Sequence, residues 1–204
     1  MMKRSVGVLV IVLTLSMMTS CLGNQEKNKT TVTPSESTNT IPPEENLNST
    51  IQPQVDEFSL LINNTSISLH AWDNEINLEQ VLGKPISQNI HELKGDGFTG
   101  SFLKKIKYNG LELELFSPKD NGKKFWIMTM VVTKRGYPTS KGIELGSTVK
   151  EIKDAYPAIK ISEDGRTDPN NCAYEIRNVQ EYNHMQFEVK DGKVAHIKIF
   201  HLIP

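Results

Sequence analysis

Cysteine is almost missing from this chain: 204 residues contain two, Cys21 and Cys172, in segments of unlike character. A disulfide framework is thereby excluded as the main staple. Charge of one sign is also lacking, since 23 Lys and Arg oppose 24 Asp and Glu for a net charge of −1. With the two signs interspersed, no basic stripe argues for nucleic acid and no acidic block for a solvating tail. Aromatics are few, at 7 %. Long apolar runs are lacking too: Val6–Met17 is too short to span a bilayer comfortably, which takes about 20 residues. A chain of this length holds one ordinary domain, or two small ones with ancillary segments.

What the chain does have is an internal repeat. Lys104–Phe116 (KKIKYNGLELELF) has a partner in Asn178–Lys190 (NVQEYNHMQFEVK). Tyr108-Asn109 falls on Tyr182-Asn183 at an offset of 74 residues (182 − 108). The same offset sets Leu111, Leu113 and Leu115 on Met185, Phe187 and Val189, and Glu114 on Glu188. Both copies alternate apolar and polar residues about a polar turn, a β-hairpin signal of which Asn109-Gly110 is the strongest short form. Leu111, Leu113, Leu115, Phe187 and Val189 are the expected buried face.

A helix precedes each hairpin. Asp73-Asn74-Glu75 opens a stretch with Ile76, Leu78, Val81 and Leu82 apolar, Gly83 stops it and Pro85 blocks continuation, which predicts a helix at about 75–82. In the second copy Thr148-Val-Lys-Glu151 is a capping box, Val149, Ile152 and Tyr156 share a face, and Pro157 ends the helix. After each hairpin comes one more strand, Phe125–Thr133 following Asp120-Asn121-Gly122 and Val194–Phe200 following Asp191-Gly192. Phe58–Ile62 and Ser66–His70 read as short extended segments about Asn63-Asn64, and residues 137–142 as the connector. The fold class expected is α+β: two tandem units, 56–136 and 137–204, each a short helix packed on three antiparallel strands.

The N-terminal third reads differently. Residues 1–21 have a basic start at Lys3-Arg4, an apolar run, and Met18-Thr19-Ser20-Cys21, which resembles the lipobox of bacterial lipoproteins. That resemblance implies a diacylglyceryl thioether on Cys21, a lipid anchor in the bacterial cell membrane and an extracytoplasmic location. Residues 22–55 lack either period and are rich in Asn, Ser, Thr, Pro and Glu, so a disordered tether is expected. Asn-x-Ser/Thr sequons at Asn28, Asn48 and Asn63 carry no meaning in such a lipoprotein. The stretch Gly142–Pro157, GIELGSTVKEIKDAYP, resembles the helix entry of small secreted helix–sheet units. Families built from that unit include the β-lactamase inhibitory protein and the small lipoproteins of the outer-membrane assembly machinery, and many lipoproteins of Gram-positive bacteria look similar. The resemblance implies fold and duplication; no binding residue carries over.

Chemistry-bearing patterns are sparse. Gly95-Asp-Gly97-Phe-Thr-Gly100 matches G-x-G-x-x-G, but the strand-like Ser101–Tyr108 follows where a dinucleotide site needs a helix, so a turn-rich loop is expected. His91-Glu92 lacks the second His of a zinc-protease helix; the other histidines are His70, His184, His196 and His201, the last two near the final strand. No spacing supports a metal site from His184, His196 and Cys172, with His184 read as a turn residue. Cys172, as a nucleophile with His184 or His196 as base, has no family signature around it; a free or half-buried thiol is the expectation. Asp164, Asp168, Asn170 and Asn171 form a polar loop without calcium-ligand spacing. Trp72, Trp126, Tyr108 and Tyr182 are the candidate binding surface, with sheet packing as the plainer role.

The expectation is a non-catalytic envelope lipoprotein whose sheet surface binds another protein or an envelope polymer, with no cofactor and no nucleic acid. The alternatives are a small-ligand or metal-binding lipoprotein, or a hydrolase whose site is assembled from residues distant in sequence.

Overall fold

The structure is a computed structural model, and it describes residues 56–95, 97–119 and 122–204. The signal-like segment, Cys21, the tether, and Asp96, Asp120 and Asn121 lie outside the described residues.

The chain begins with a small hairpin, β1 (Ser59–Ile62) and β2 (Thr65–Ser68). Asn63 and Asn64 at its tip have φ of 49° and 60°, the left-handed pair that a two-residue turn matched to strand twist requires. Helix α1 covers Leu78–Leu82, so the expected start at Asp73–Glu75 is corrected. Asn77 is the cap, its side chain accepting from the Gln80 N–H. The Asp73 carboxylate instead accepts from the Phe125 N–H at 3.0 Å and pairs with the Lys104 ammonium. Gly83, with φ of 78°, ends the helix as expected.

Four strands follow: β3 (Ser87–Glu92), β4 (Phe102–Lys107), β5 (Leu111–Ser117) and β6 (Trp126–Val132). The β4–β5 turn is the two-residue Asn109-Gly110 loop, closed by Tyr108 N–H to Leu111 C=O at 2.7 Å. Helix α2 (Val149–Ala155) starts at Thr148 with both halves of the capping box formed. Then come β7 (Lys160–Ile161), β8 (Ala173–Asn178), β9 (Asn183–Lys190) and β10 (Lys193–His201).

Eight of these strands form one antiparallel sheet in the order β3-β4-β5-β6-β10-β9-β8-β7, so the fold is mostly β with two short helices. Short helices on antiparallel strands are found as expected, but the two expected units are not set apart from each other: β6 and β10 pair directly in one continuous sheet, with Ile197 opposite Val132 and Ile199 opposite Met130. Each helix is followed by four strands rather than the expected three. The unforeseen strands, β3 and β7, are edge strands, and a terminal strand with little to bury shows no apolar alternation to read. The tip at Tyr182-Asn183 is also corrected, since Asn183 and His184 lie inside β9.

One core lies on one side of this sheet. Leu111, Leu113 and Leu115 of β5 and Met185, Phe187 and Val189 of β9 point into it, as the alternation predicts, and all are buried. They meet Leu60 and Ile67 of the hairpin, Leu78 of α1, and Ile152 and Tyr156 around α2. Each such side chain contributes roughly 1.5–3 kcal/mol. The connector is tied down rather than loose: Pro138 C=O accepts from Leu61 N–H at 2.9 Å, and Tyr156 donates to Thr139 Oγ1 at 2.8 Å. No helix of the described residues is long and apolar enough to cross a membrane.

Candidate docking face

Because strand side chains alternate, a sheet with one face in the core presents the other set of residues on the opposite side. Here the hairpin and both helices pack on the core side. Register fixes the opposite set: Leu103 and Lys105 of β4, Glu114 and Phe116 of β5, and Trp126, Thr129 and Val131 of β6. It continues with Lys198 and Phe200 of β10, Gln186 and His184 of β9, and Glu175 and Arg177 of β8. Two loops rim this face. Phe98, in the 93–101 loop, meets Phe116 edge-on at 6.4 Å, and Arg166, in the 162–172 loop, pairs with Glu188 and Asp164.

Between the loops lies a chain of rings. Phe116 packs edge-on against Trp126 at 5.6 Å, Trp126 stacks on His70 at 5.1 Å, and His70 meets His201 at 4.6 Å. The buried Asn183 joins the two histidines through its Oδ1, which lies 2.9 Å from His70 Nε2 and 3.2 Å from His201 Nδ1. A carbonyl oxygen only accepts, so both ring nitrogens donate. Burial, and then the neighbouring His70, hold the His201 imidazole below its ordinary value, so it is kept neutral.

The polar end of the face centres on Glu175. Its Oε1 lies 2.9 Å from His184 Nδ1, and its Oε2 lies 2.7 Å from Arg177 Nη2 and 3.3 Å from Ser162 Oγ. Burial pushes this carboxyl up, but hydrogen bonds to Arg177 and His184 outweigh that and hold it below the usual carboxylate range. Ionised Glu175 accepts only, so His184 Nδ1 donates. The His184 ring stacks on Phe200 at 4.9 Å, and the Lys198 ammonium lies 4.5 Å from that ring centre on the same strand. A cleft of about 310 Å³ opens nearby between Lys160–Glu163 and Glu175–Arg177.

The residues singled out in the sequence do not converge. Trp126 is in the ring chain; Trp72 bridges it through backbone pairing. Tyr108 is buried in the core, and Tyr182 is 45 % exposed at the β8–β9 turn. Cys172 is free, as one of the two expectations has it, and fully buried, and burial pushes its thiol up, away from the thiolate a nucleophile needs. Among the described residues, no group of three or more His, Cys, Asp or Glu is placed to hold a metal. Asp168 is engaged by Asn170 N–H and Asn171 Nδ2 within its own loop. The 95–100 loop has left-handed glycines at 95, 97 and 100 and leads into strand β4, not into a helix.

Sequence reading passed over Phe98, Phe116, Glu175 and Phe200. Their common signal is strand parity: each strand residue lies one step off a buried apolar position, which is legible only once the strand partners are known.

Family models, curated proteins and solved structures were all compared with the chain, and none matches.

Proposed function

We propose that this chain is a membrane-anchored extracytoplasmic lipoprotein, tethered through Cys21, whose uncovered sheet face docks another envelope component without catalysis. The observation that carries this reading is the eight-stranded sheet itself: helices and hairpin all pack on one side, while the half-buried Trp126, Val131 and Phe200 line the other around the buried Phe116, between two loops. Large rings in contact, rimmed by charged pairs, are the composition of a protein-binding surface.

The same proposal includes a tandem duplication. Its support is that each half runs helix and four strands, and that the two halves meet about a local two-fold at the β6–β10 pair. Each inner strand also carries one extra residue against its hairpin partner, Met128 in β6 and Ala195 in β10. The test is capture from envelope extract by crosslinking to the full chain and to a Trp126→Ala, Phe200→Ala variant. A single partner recovered with the parent, and lost with a variant that melts at the same temperature, supports docking through this face. Equal recovery by both overturns it.

One observation favours a second reading. A buried carboxylate orienting an imidazole is the supporting half of a general-base pair, and Glu175–His184 lies beside the 310 Å³ cleft. Of the two nucleophiles named near it, Ser162 Oγ bonds Glu175 rather than His184, and Cys172 is buried. A hydrolytic activity on ester or amide probes that disappears in His184→Gln would establish this reading in place of the first.

A further inference from the structure

The two ends of the sheet are treated differently. Strand β7 is two residues long, the kind of short edge that offers no template for pairing. Strand β3 has six residues, pairs with β4 in unbroken register, and is exposed at every position. It contains no lysine, no proline and no bulge, the devices that keep edges apart. Pro85, Lys84 and Lys94 lie just outside it.

Parity identifies which backbone groups are free. The Tyr108 N–H to Leu111 C=O bond sets the even residues of β4 toward β5 and the odd ones toward β3. Opposite them, Ser87, Asn89 and His91 bond β4, a series that Leu93 N–H to Ser101 C=O continues. The N–H and C=O groups of Gln88, Ile90 and Glu92 therefore point to the free edge. Ile90, at their centre, is 49 % exposed.

We propose that β3 is a homodimer edge, on which a second copy of this chain adds its own β3 antiparallel about a two-fold axis normal to the sheet. The sequence is self-complementary in that arrangement. Ile90 lies opposite Ile90, Gln88 opposite Glu92, and Asn89 opposite His91, so apolar meets apolar and no like charges are opposed. The outward groups of Gln88, Ile90 and Glu92 are all satisfied by the same three residues of the other copy. A slip of two residues in either direction sets Ile90 against Gln88 or Glu92. A six-residue edge buries little surface, so the pair is weak, with a dissociation constant of about 1 μM to 1 mM.

The experiment is sedimentation equilibrium of the full chain in detergent over roughly a hundred-fold dilution, with amide exchange measured at both extremes. A reversible monomer–dimer equilibrium is expected, with slowed exchange at Gln88, Ile90 and Glu92 at high concentration and no change at Asn89 and His91. Ile90→Pro removes an outward N–H and none that bonds β4, and Ile90→Lys opposes two ammonium groups. Each raises the dissociation constant at least about tenfold with the unfolding midpoint held. Where proline unfolds β3, the lysine variant decides. A monomer up to about 1 mM, a dimer indifferent to Ile90→Lys, or protection centred on other residues would overturn the proposal. So would β3 protection produced by a different protein's strand on a chain that stays monomeric.

Discussion

Among the described glycines, Gly110 is the one where an added Cβ meets the closest neighbour. Its φ is 95°, and a Cβ there would lie 2.4 Å from the Lys134 Cβ, a stem rather than a movable tip. Gly110→Ala therefore adds left-handed strain to a clash, and a loss of about 1–3 kcal/mol in a urea melt is expected. The histidines give a pH prediction. Burial holds His196 and His201 below the ordinary 6.5, against an opposing pull from Glu188 on the first. Above 6.5 neither state takes up the proton. As pH falls below it, the unfolded chain binds protons first, so stability is lost on acidification toward the depressed folded values. Urea midpoints should fall from about pH 7 to pH 5.5, and His201→Gln should flatten the slope. An unchanged midpoint across that window refutes the linkage.

At the scale of elements, α2 shows how a local signal survives into structure. Thr148 and Glu151 satisfy each other's backbone partners, with Glu151 Oε2 accepting from Thr148 N–H at 2.6 Å. Ile152 is the single buried residue of the seven, with Val149 and Ala155 partly buried beside it, so the cap carries much of the helix's definition. Thr148→Ala is expected to cost about 0.5–2 kcal/mol, and Thr148→Ser about a quarter of that or less, by thermal denaturation. Edge strand β3 is the opposite case. Ser-Gln-Asn-Ile-His-Glu has no period, and its extended form comes from pairing with β4, whose register against β5 is set by the Asn109-Gly110 turn.

For the whole molecule, the β6–β10 junction makes one cooperative body of both halves. Trp72 and Trp126 both lie in the first half, so they report on it alone. Phe187→Ala, in β9 of the second half, should nonetheless lower the tryptophan-detected unfolding free energy by about 3–5 kcal/mol in a single transition. A tryptophan signal left unmoved by that change would mean two independently folding units. The hairpin faces, the capped second helix, the tight Asn-Gly turn and the Gly83 stop were all legible in the chain, because each rests on interactions within a few residues. Period-two alternation needs only neighbours, and so do caps and turns. The direct pairing of β6 with β10, the strand made of polar residues, and the meeting of Phe98, Phe116, Trp126, His70 and His201 were not legible. Those depend on which strand lies beside which, and backbone hydrogen bonds between strands carry no sequence label. The sequence by itself determined the inner strands, the capped helix and their buried faces; only tertiary pairing decided the edge strands and what the opposite face displays.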